Sequence, residues 1–364
     1  MRNISLFKYG ALAALLGTAF LSSAADAQVL PGQGQPTFIN LLDNGAFTVA
    51  QRSTTAVSSI TTTAKYLWDR WAAYSGTATS ATLTNVSSAL PTGTGTPVFT
   101  AGAQVQRANG QTGVLPVCLV QEISTSDLTP IAGQPVTLSF WSLAGANFSA
   151  ASSNLTVKIT TGTGSDEGLA TLISGWAGAS TATLNATQTI TSSWQRYALT
   201  GTLPASATEA AVQICFTPVG TASANDYFQV AGVQLQQGTV PTNFEVRPLA
   251  VELQKDYRSF YRLAEPANGA AVNAFGQATG ANTNAVTISL PVPMRATTPT
   301  ITITTAGTFK VNIAGTPTTV ATPTAGVCSS NSCTVTAANT NTAGQAEQVT
   351  GGGGTGAWDI SGDF

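Results

Sequence analysis

Few side chains in this sequence could run a reaction. Its 364 residues include no histidine, 16 Asp and Glu, 14 Lys and Arg, and four cysteines. Without imidazole there is no Ser-His-Asp or Cys-His nucleophile, no His-ligated zinc and no imidazole switch near neutral pH. Acid–base work is left to carboxylate pairs, and glycoside hydrolysis needs two flanking one cleft, ~5 Å apart for retention and ~6.5 to 9.5 Å for inversion. Asp166 and Glu167 are adjacent, but they follow Gly162-Thr163-Gly164-Ser165 and read as a solvated turn. Glu122 with Glu209 or Asp226 is the combination left open, and no residue is assigned a catalytic role. The Gly-rich stretches 162–168 and 351–356 lack the Lys-Ser/Thr of a phosphate loop. The cysteines have no partners at metal-ligand spacing, so neither a metal nor a cofactor is expected.

Recognition of uncharged ligands is better supplied. Only 8% of the residues are charged, against about 25% in an ordinary soluble domain. With a formal charge of −2 there is no basic stripe for a phosphate backbone, and nucleic acid is not expected as a partner. Neutral sugars are held by aromatic faces on their C–H surfaces and by amides and hydroxyls, and the sequence is rich in Thr, Ser, Asn and Gln with scattered Trp and Tyr. Trp176 sits in Ser174-Gly175-Trp176-Ala177-Gly178, where an indole has little local reason to be buried, and is a candidate sugar contact. Gln121 and Glu122 are neighbours on a strand and face opposite ways, with Gln121 a candidate for lining a cleft. Strand alternation through Tyr66–Tyr74 puts Tyr66, Trp68, Arg70 and Tyr74 on one face and Leu67, Trp71 and Ala73 on the other; one face must be core. Trp141, Trp194 and Tyr197 lie in well-patterned strands and are read as packing.

The elements that must position these residues are strands. Short Thr/Val/Ser/Ala runs broken by Gly, Pro and Asn fill the chain, and Val136–Phe140, Leu155–Ile159 and Val212–Phe216 place apolar residues at every second position. This predicts an all-β, antiparallel sandwich followed by a smaller β domain. One helix is expected over residues 249–263, with Leu249, Leu253, Tyr257, Phe260 and Tyr261 on its apolar stripe. It divides a domain of residues 37–248 from one of residues 264–364. Residues 1–27 read as a cleaved secretory signal: Arg2 and Lys8, an apolar run of about twelve residues, shorter than the ~20 of a bilayer-spanning helix, and Ala25-Asp26-Ala27. A Pro/Gly/Gln linker covers 28–36. The expected location is therefore secreted or cell-surface, without a membrane span. Export permits disulfides. Cys328 and Cys333 suit a bridge closing a hairpin loop, whereas Cys118 and Cys215 either staple neighbouring strands or stay as two buried thiols.

Asn40–Phe47 (NLLDNGAF), Trp68-Asp69-Arg70-Trp71, Val120–Ile123 (VQEI), Val136–Trp141 (VTLSFW), Trp194–Tyr197 (WQRY), Val230–Leu235 (VAGVQL) and Asn243–Pro248 (NFEVRP) occur in an order that resembles bacteriophage tail-fibre and virion structural proteins. Their core is similar to the jelly-roll carbohydrate-binding modules found beside polysaccharide hydrolases. The likeness covers about residues 38–262, and Tyr257–Arg262 and Leu290–Ala296 extend it. It implies that Trp71 is the core tryptophan, which leaves Trp68, Arg70 and Tyr74 as an exposed sugar-binding platform. Two departures bear on it. Where such modules carry the aspartates of a structural calcium site, this chain has Gln229-Val230-Ala231-Gly232, so that site is not carried over. Tail fibres assemble in the cytoplasm and need no leader, so the product is either a cell-encoded relative or an exported phage protein, reaching the virion if phage-encoded.

Together these features predict a non-catalytic, exported protein of tail-fibre type that binds a cell-surface glycan or polysaccharide. The alternative is a purely structural virion or cell-surface fibre component that binds only copies of itself, as a homotrimer, through its C-terminal domain.

Overall fold

The computed structural model describes residues 39–363 apart from positions 78, 266, 268–269, 281–282, 306–308, 314–315, 320, 339–344 and 355. The leader (1–27) and linker (28–36) read from the sequence lie outside the described residues. Among those described, no helix is long and apolar enough to cross a membrane.

The first part of the chain contributes β1 (Val57–Ile60), β2 (Lys65–Trp68), β3 (Trp71–Ser75), β4 (Ala81–Val86), β5 (Gly102–Arg107), β6 (Val117–Ile123), β7 (Pro135–Ala144), β8 (Asn154–Gly162), β9 (Ser180–Thr189), β10 (Gln195–Thr202), β11 (Glu209–Phe216) and β12 (Tyr227–Gln237). They form two six-stranded antiparallel sheets, ordered β1-β4-β5-β12-β7-β10 and β2-β3-β6-β11-β8-β9. From β5 onward the chain changes sheet at each connection except β8 to β9, a jelly-roll winding. Period-two alternation dictates the packing: Leu138 and Phe140, Leu155, Val157 and Ile159, and Val212, Ile214 and Phe216 all point between the sheets and are fully buried. Phe216 meets Phe228 edge-on at 5.7 Å between ring centres. Cys118 and Cys215 stand directly opposite on β6 and β11 and are bonded, with an S–S distance of 2.07 Å.

Two short helices, α1 (Thr125–Leu128) and α2 (Leu169–Ser174), lie in connections. The third, α3 (Leu249–Tyr257), is shorter than the sequence suggests and buries the other face. Its buried side chains are Glu252 and Asp256, one turn apart, while Leu249 is 56% exposed. The predicted last turn is instead β13 (Phe260–Ala264). Pairing of Phe260 with Ser361 and Leu263 with Trp358 outweighs the local helical pattern.

The C-terminal part adds β14 (Ala271–Gly280), β15 (Thr283–Ser289), β16 (Thr300–Thr305), β17 (Lys310–Ile313), β18 (Thr316–Thr319), β19 (Ala321–Ser329), β20 (Ser332–Ala338), β21 (Ala346–Thr350) and β22 (Ala357–Ser361). They make a sheet ordered β13-β22-β16 and another ordered β18-β17-β21-β14-β15-β20-β19. Their core is separate from that of the sandwich and is centred on Phe309 and Trp358, with ring centres 4.4 Å apart. It includes the Cys328–Cys333 bridge, which joins opposed residues of the β19–β20 hairpin. The Gly-rich turn before β22 is tied down: the Glu265 carboxylate accepts the N–H groups of Gly352, Gly354 and Gly356. By backbone contact Phe38–Phe364 form one compact unit.

Candidate functional site

The residues expected to form an exposed platform are mostly interior. Tyr66–Tyr74 is a hairpin and not one strand: β2 ends at Trp68, Arg70 takes a left-handed φ of 68°, and Trp68 lies opposite Trp71. The turn restarts the alternation, so both indoles enter the core, 1% and 0% exposed, with the Phe47 ring 5.2 and 5.1 Å away. Gln121 lines no cleft. It is 1% exposed and grips the backbone of Asp43, accepting its N–H and donating to its C=O, both at 2.8 Å. Trp176 is covered as well: α2 lays Leu169 and Leu172 beside it on Ala72, Val120 and Ala211, and its indole N–H donates to Gly168 C=O at 3.1 Å. Tyr74, half-buried on the same outer face, accepts from Gln213 Nε2 at 3.0 Å, and burial pushes its phenol up to about 12.

Arg70 is the hub of a buried ion cluster between the sandwich and the C-terminal strands. Only 2% exposed, it lies 3.2 Å from Asp363, 3.5 Å from Glu122 and 3.6 Å from Asp43. Burial raises Asp43, but Lys255, at 2.5 Å, and Arg70 outweigh it and hold the carboxyl below its ordinary value. Arg52 also pairs with Asp363, and Arg262 with Asp359 at 2.6 Å. Asp256 has no hydrogen-bond partner for either oxygen, and burial, then Asp69, Asp43 and Glu252, hold it well above the usual carboxylate range. This cluster is structural cement; its charges face each other and not solvent.

Open, uncharged chemistry is concentrated on the outer face of the first sheet. Val105, Ala103, Phe228, Val230 and Leu83 point inward, so their strand neighbours point out. The register sets two rows side by side across β4, β5 and β12: Thr82, Gln106 and Tyr227, then Thr84, Gln104 and Gln229. All six are half-buried. The amides form a chain: Gln229 Nε2 donates to Gln104 Oε1 (2.7 Å), Gln104 Nε2 to Gln106 Oε1 (3.0 Å), and Gln106 Nε2 to Ala224 C=O (2.6 Å). Each NH2 keeps a second hydrogen and each amide oxygen a second lone pair. Each row spans three strands, roughly 10 Å at about 4.8 Å per strand. Beside it, residues 87–99 enclose a cleft of about 460 Å³ lined by Ser88, Leu90, Thr92, Val98 and Phe99. Phe99 joins cleft to sheet by packing on Trp141 (5.2 Å) and Phe244 (5.3 Å). A larger cleft of about 610 Å³, between α3 and residues 292–295, has a mainly apolar wall that includes Val251, Val292, Pro293 and Met294, with Lys255, Arg258, Arg295 and Asp166 also lining it.

The amide rows were missed in the sequence, although Ala103-Gln104-Val105-Gln106 carries the alternation that signals them. The carboxylate combinations fare differently. Asp226 is paired with Arg107 at 3.2 Å, both fully buried. Glu122 and Glu209 share the outer face of the second sheet, displaced by two positions in register, since Glu122 faces Ala211. They are 4% and 1% exposed. The Asp166-Glu167 turn is docked and not free: Asp166 accepts from Thr125 N–H at 2.9 Å, and Glu167 N–H donates to Glu209 Oε2 at 2.7 Å. Burial, then the Glu167 carboxyl, pushes Glu209 up to about 7.

No protein-family model matches the sequence, and no curated protein sequence matches it. Solved structures similar to this chain include one described as "CBM4 structure and function", at 18% identity and TM-score 0.27 over 38% of this chain and 71% of that one. The enzymatically active domain of bacteriophage CBA120 tailspike protein 4 matches at 14% identity and TM-score 0.33, over 55% of this chain and 22% of that one. The N-terminal CBM22-1–CBM22-2 tandem domain of Paenibacillus barcinonensis Xyn10C matches at 10% identity and TM-score 0.29, over 85% and 91%. The roles of individual residues are therefore read from this chain's own geometry.

Proposed function

We propose that the chain is a non-catalytic, exported protein of tail-fibre type that binds an uncharged surface glycan on the outer face of its first sheet. The observation that carries this reading is the pair of rows Thr82–Gln106–Tyr227 and Thr84–Gln104–Gln229. Their amides are pre-oriented by hydrogen bonds to one another, so little rotamer entropy is lost on meeting a ligand. Tyr227 supplies a ring for a sugar face, and no charge has to be desolvated. The adjoining 87–99 cleft offers a concave end for a chain terminus or branch. A non-catalytic role is supported by the burial of Glu122 and Glu209, and export by the two disulfides.

Affinity electrophoresis of the full chain through a panel of neutral polysaccharides tests the reading. Wild type should be retarded by at least one, and retardation should fall at least tenfold in Gln229→Ala and Tyr227→Ala while surviving in Tyr74→Ala on the opposite sheet. Loss in Tyr74→Ala with retention in Gln229→Ala would move the site to the second sheet. No retardation of wild type on any polysaccharide, together with a trimer in sedimentation, would replace the reading with a self-assembling structural part.

A further inference from the structure

We propose that Glu167 and Glu209 together hold a divalent cation of the calcium class beneath the segment 162–178. The fold brings to one point two acids 42 positions apart. A β-carbon placed on Gly164 would collide with Glu167 Oε2 and lie 2.7 Å from Glu209 Oε1, and one on Gly162 would lie 2.8 Å from that same Oε1. The two glycines thus form a cradle into which both carboxylates reach.

A second observation points to a missing positive partner. Glu209 is 1% exposed; its Oε2 accepts the Glu167 N–H, but its Oε1 meets no donor. Of the other acids buried in the sandwich, Glu122 and Asp226 are each paired with an arginine, Arg70 and Arg107, and Asp69 is hydrogen-bonded by Gln51. No such pair reaches Glu167 or Glu209 among the described residues. Glu167 is half-buried and its Oε2 accepts the Ala177 N–H at 2.8 Å, so Glu209 Oε1 is the oxygen left without compensation, a costly state in a buried place unless a charge sits beside it.

Oxygen-only donors suit calcium, which takes six to eight oxygens at ~2.3–2.6 Å in adaptable geometry, better than magnesium, which demands a near-octahedron. Two carboxylates balance its charge, and loop carbonyls and water would complete the shell. Bound there, the ion would clamp the loop that leads into α2 and Trp176 onto β11. The sequence reading expects no metal because the cysteines have no partners at metal-ligand spacing.

The full chain, stripped with EDTA, is titrated with Tb³⁺ and then Ca²⁺ while Tb³⁺ emission is excited through tryptophan, and melting is followed with and without Ca²⁺. A β-carbon on Gly162 would lie 3.2 Å from Trp176 Cε3, so this indole is the expected sensitiser among six. Saturable emission displaced by Ca²⁺ is expected. It should fall several-fold in Trp176→Phe while the Ca²⁺-dependent melting shift persists. At a Ca²⁺ excess of about 100 Kd the melting temperature should rise by about 5 °C or more. Glu209→Gln should abolish both signals; should it fail to fold, Glu167→Gln, at a half-buried position, carries the test. Equal Ca²⁺ responses in wild type and the Gln variants would overturn the site. So would a Ca²⁺-insensitive wild type that Glu209→Gln stabilises, which would mean that the pair shares a proton instead.

Discussion

Replacing Arg70 with Met should cost the folded state ~3–5 kcal/mol at pH 7, the range for removing one partner of a buried ion pair. Met is unbranched and adaptable, so the cavity left is small and the loss reports mainly charge. The guanidinium lies within 3.6 Å of three carboxylates, Asp363, Glu122 and Asp43, and also donates to Glu122 C=O at 2.6 Å. Burial lowers Arg70, but Glu122 and Asp43 outweigh it and raise the guanidinium above its ordinary value, so a firmly held cation is being removed. Glu122 lies above its ordinary 4.5 because of burial, even with Arg70 beside it. Without Arg70 it must take up a proton to stay buried, at about 1.4 kcal/mol per unit of further shift. Asp43 is held below 3.8, so the stability it contributes is present above that value and lost as pH falls through its folded-state value. The deficit of the variant should therefore be full at pH 7 and shrink toward pH 3.5, where acid supplies the protons. Urea denaturation followed by tryptophan fluorescence at both pH values measures this. A deficit below about 1 kcal/mol at pH 7, or lost glycan retention in a fully stable variant, would refute the structural role and return Arg70 to the ligand.

Two further outcomes follow from the same structure. In the chain-entropy account, a bridge across about a hundred residues is worth ~4–5 kcal/mol and one across a few residues ~2 kcal/mol. The Cys118–Cys215 bridge spans 97 positions and Cys328–Cys333 spans 5; the Cys118→Ser/Cys215→Ser protein should lose more in urea denaturation than Cys328→Ser/Cys333→Ser, and equal losses would count against the account. Asp256 is held well above 3.8 by burial and then by Asp69, Asp43 and Glu252, against Arg70, so the folded state binds its proton more tightly than the unfolded one. Its contribution is full below 3.8 and is lost as pH rises through the folded value. Asp256→Asn should thus gain on wild type as pH rises above 3.8, and melting temperatures of the two proteins that stay in step from acid to neutral pH would contradict it.

Local order was legible in the sequence; what depends on distant partners was not. The faces of β7, β8 and β11 could be read because alternation is local, and Val212, Ile214 and Phe216 need only a core on one side to be fixed. The all-β antiparallel architecture follows from the same signal repeated. The end of α3 could not be read, because Phe260–Ala264 becomes a strand through β22, about a hundred residues later. Trp176 looked exposed among small residues, yet its seat is built by α2 and by Ala72, Val120 and Ala211 from three strands. The platform at Trp68, Arg70 and Tyr74 failed on one residue: the left-handed φ of Arg70 turns the chain and reverses the parity of everything before it.

Such a failure has a physical direction. Sequence pattern finds which residues share a strand face; only register finds which faces share a surface. Gln104 and Gln106 join the proposed site only because β12, more than 120 positions on, brings Gln229 and Tyr227 beside them. The motifs that carried the family likeness are spent on holding the fold. Asn40 donates to Val233 C=O, Asn44 to Val49 and Asp69, and Arg247 pairs with Glu245 and Glu252. Resemblance therefore points to the scaffold more strongly than to the ligand, because a buried amide loses its partner under almost any substitution. Residues on an outer face such as Gln229 can change what is bound without disturbing what is folded. Specificity in this chain is accordingly expected in the half-buried rows and the 87–99 segment, where the motifs are silent.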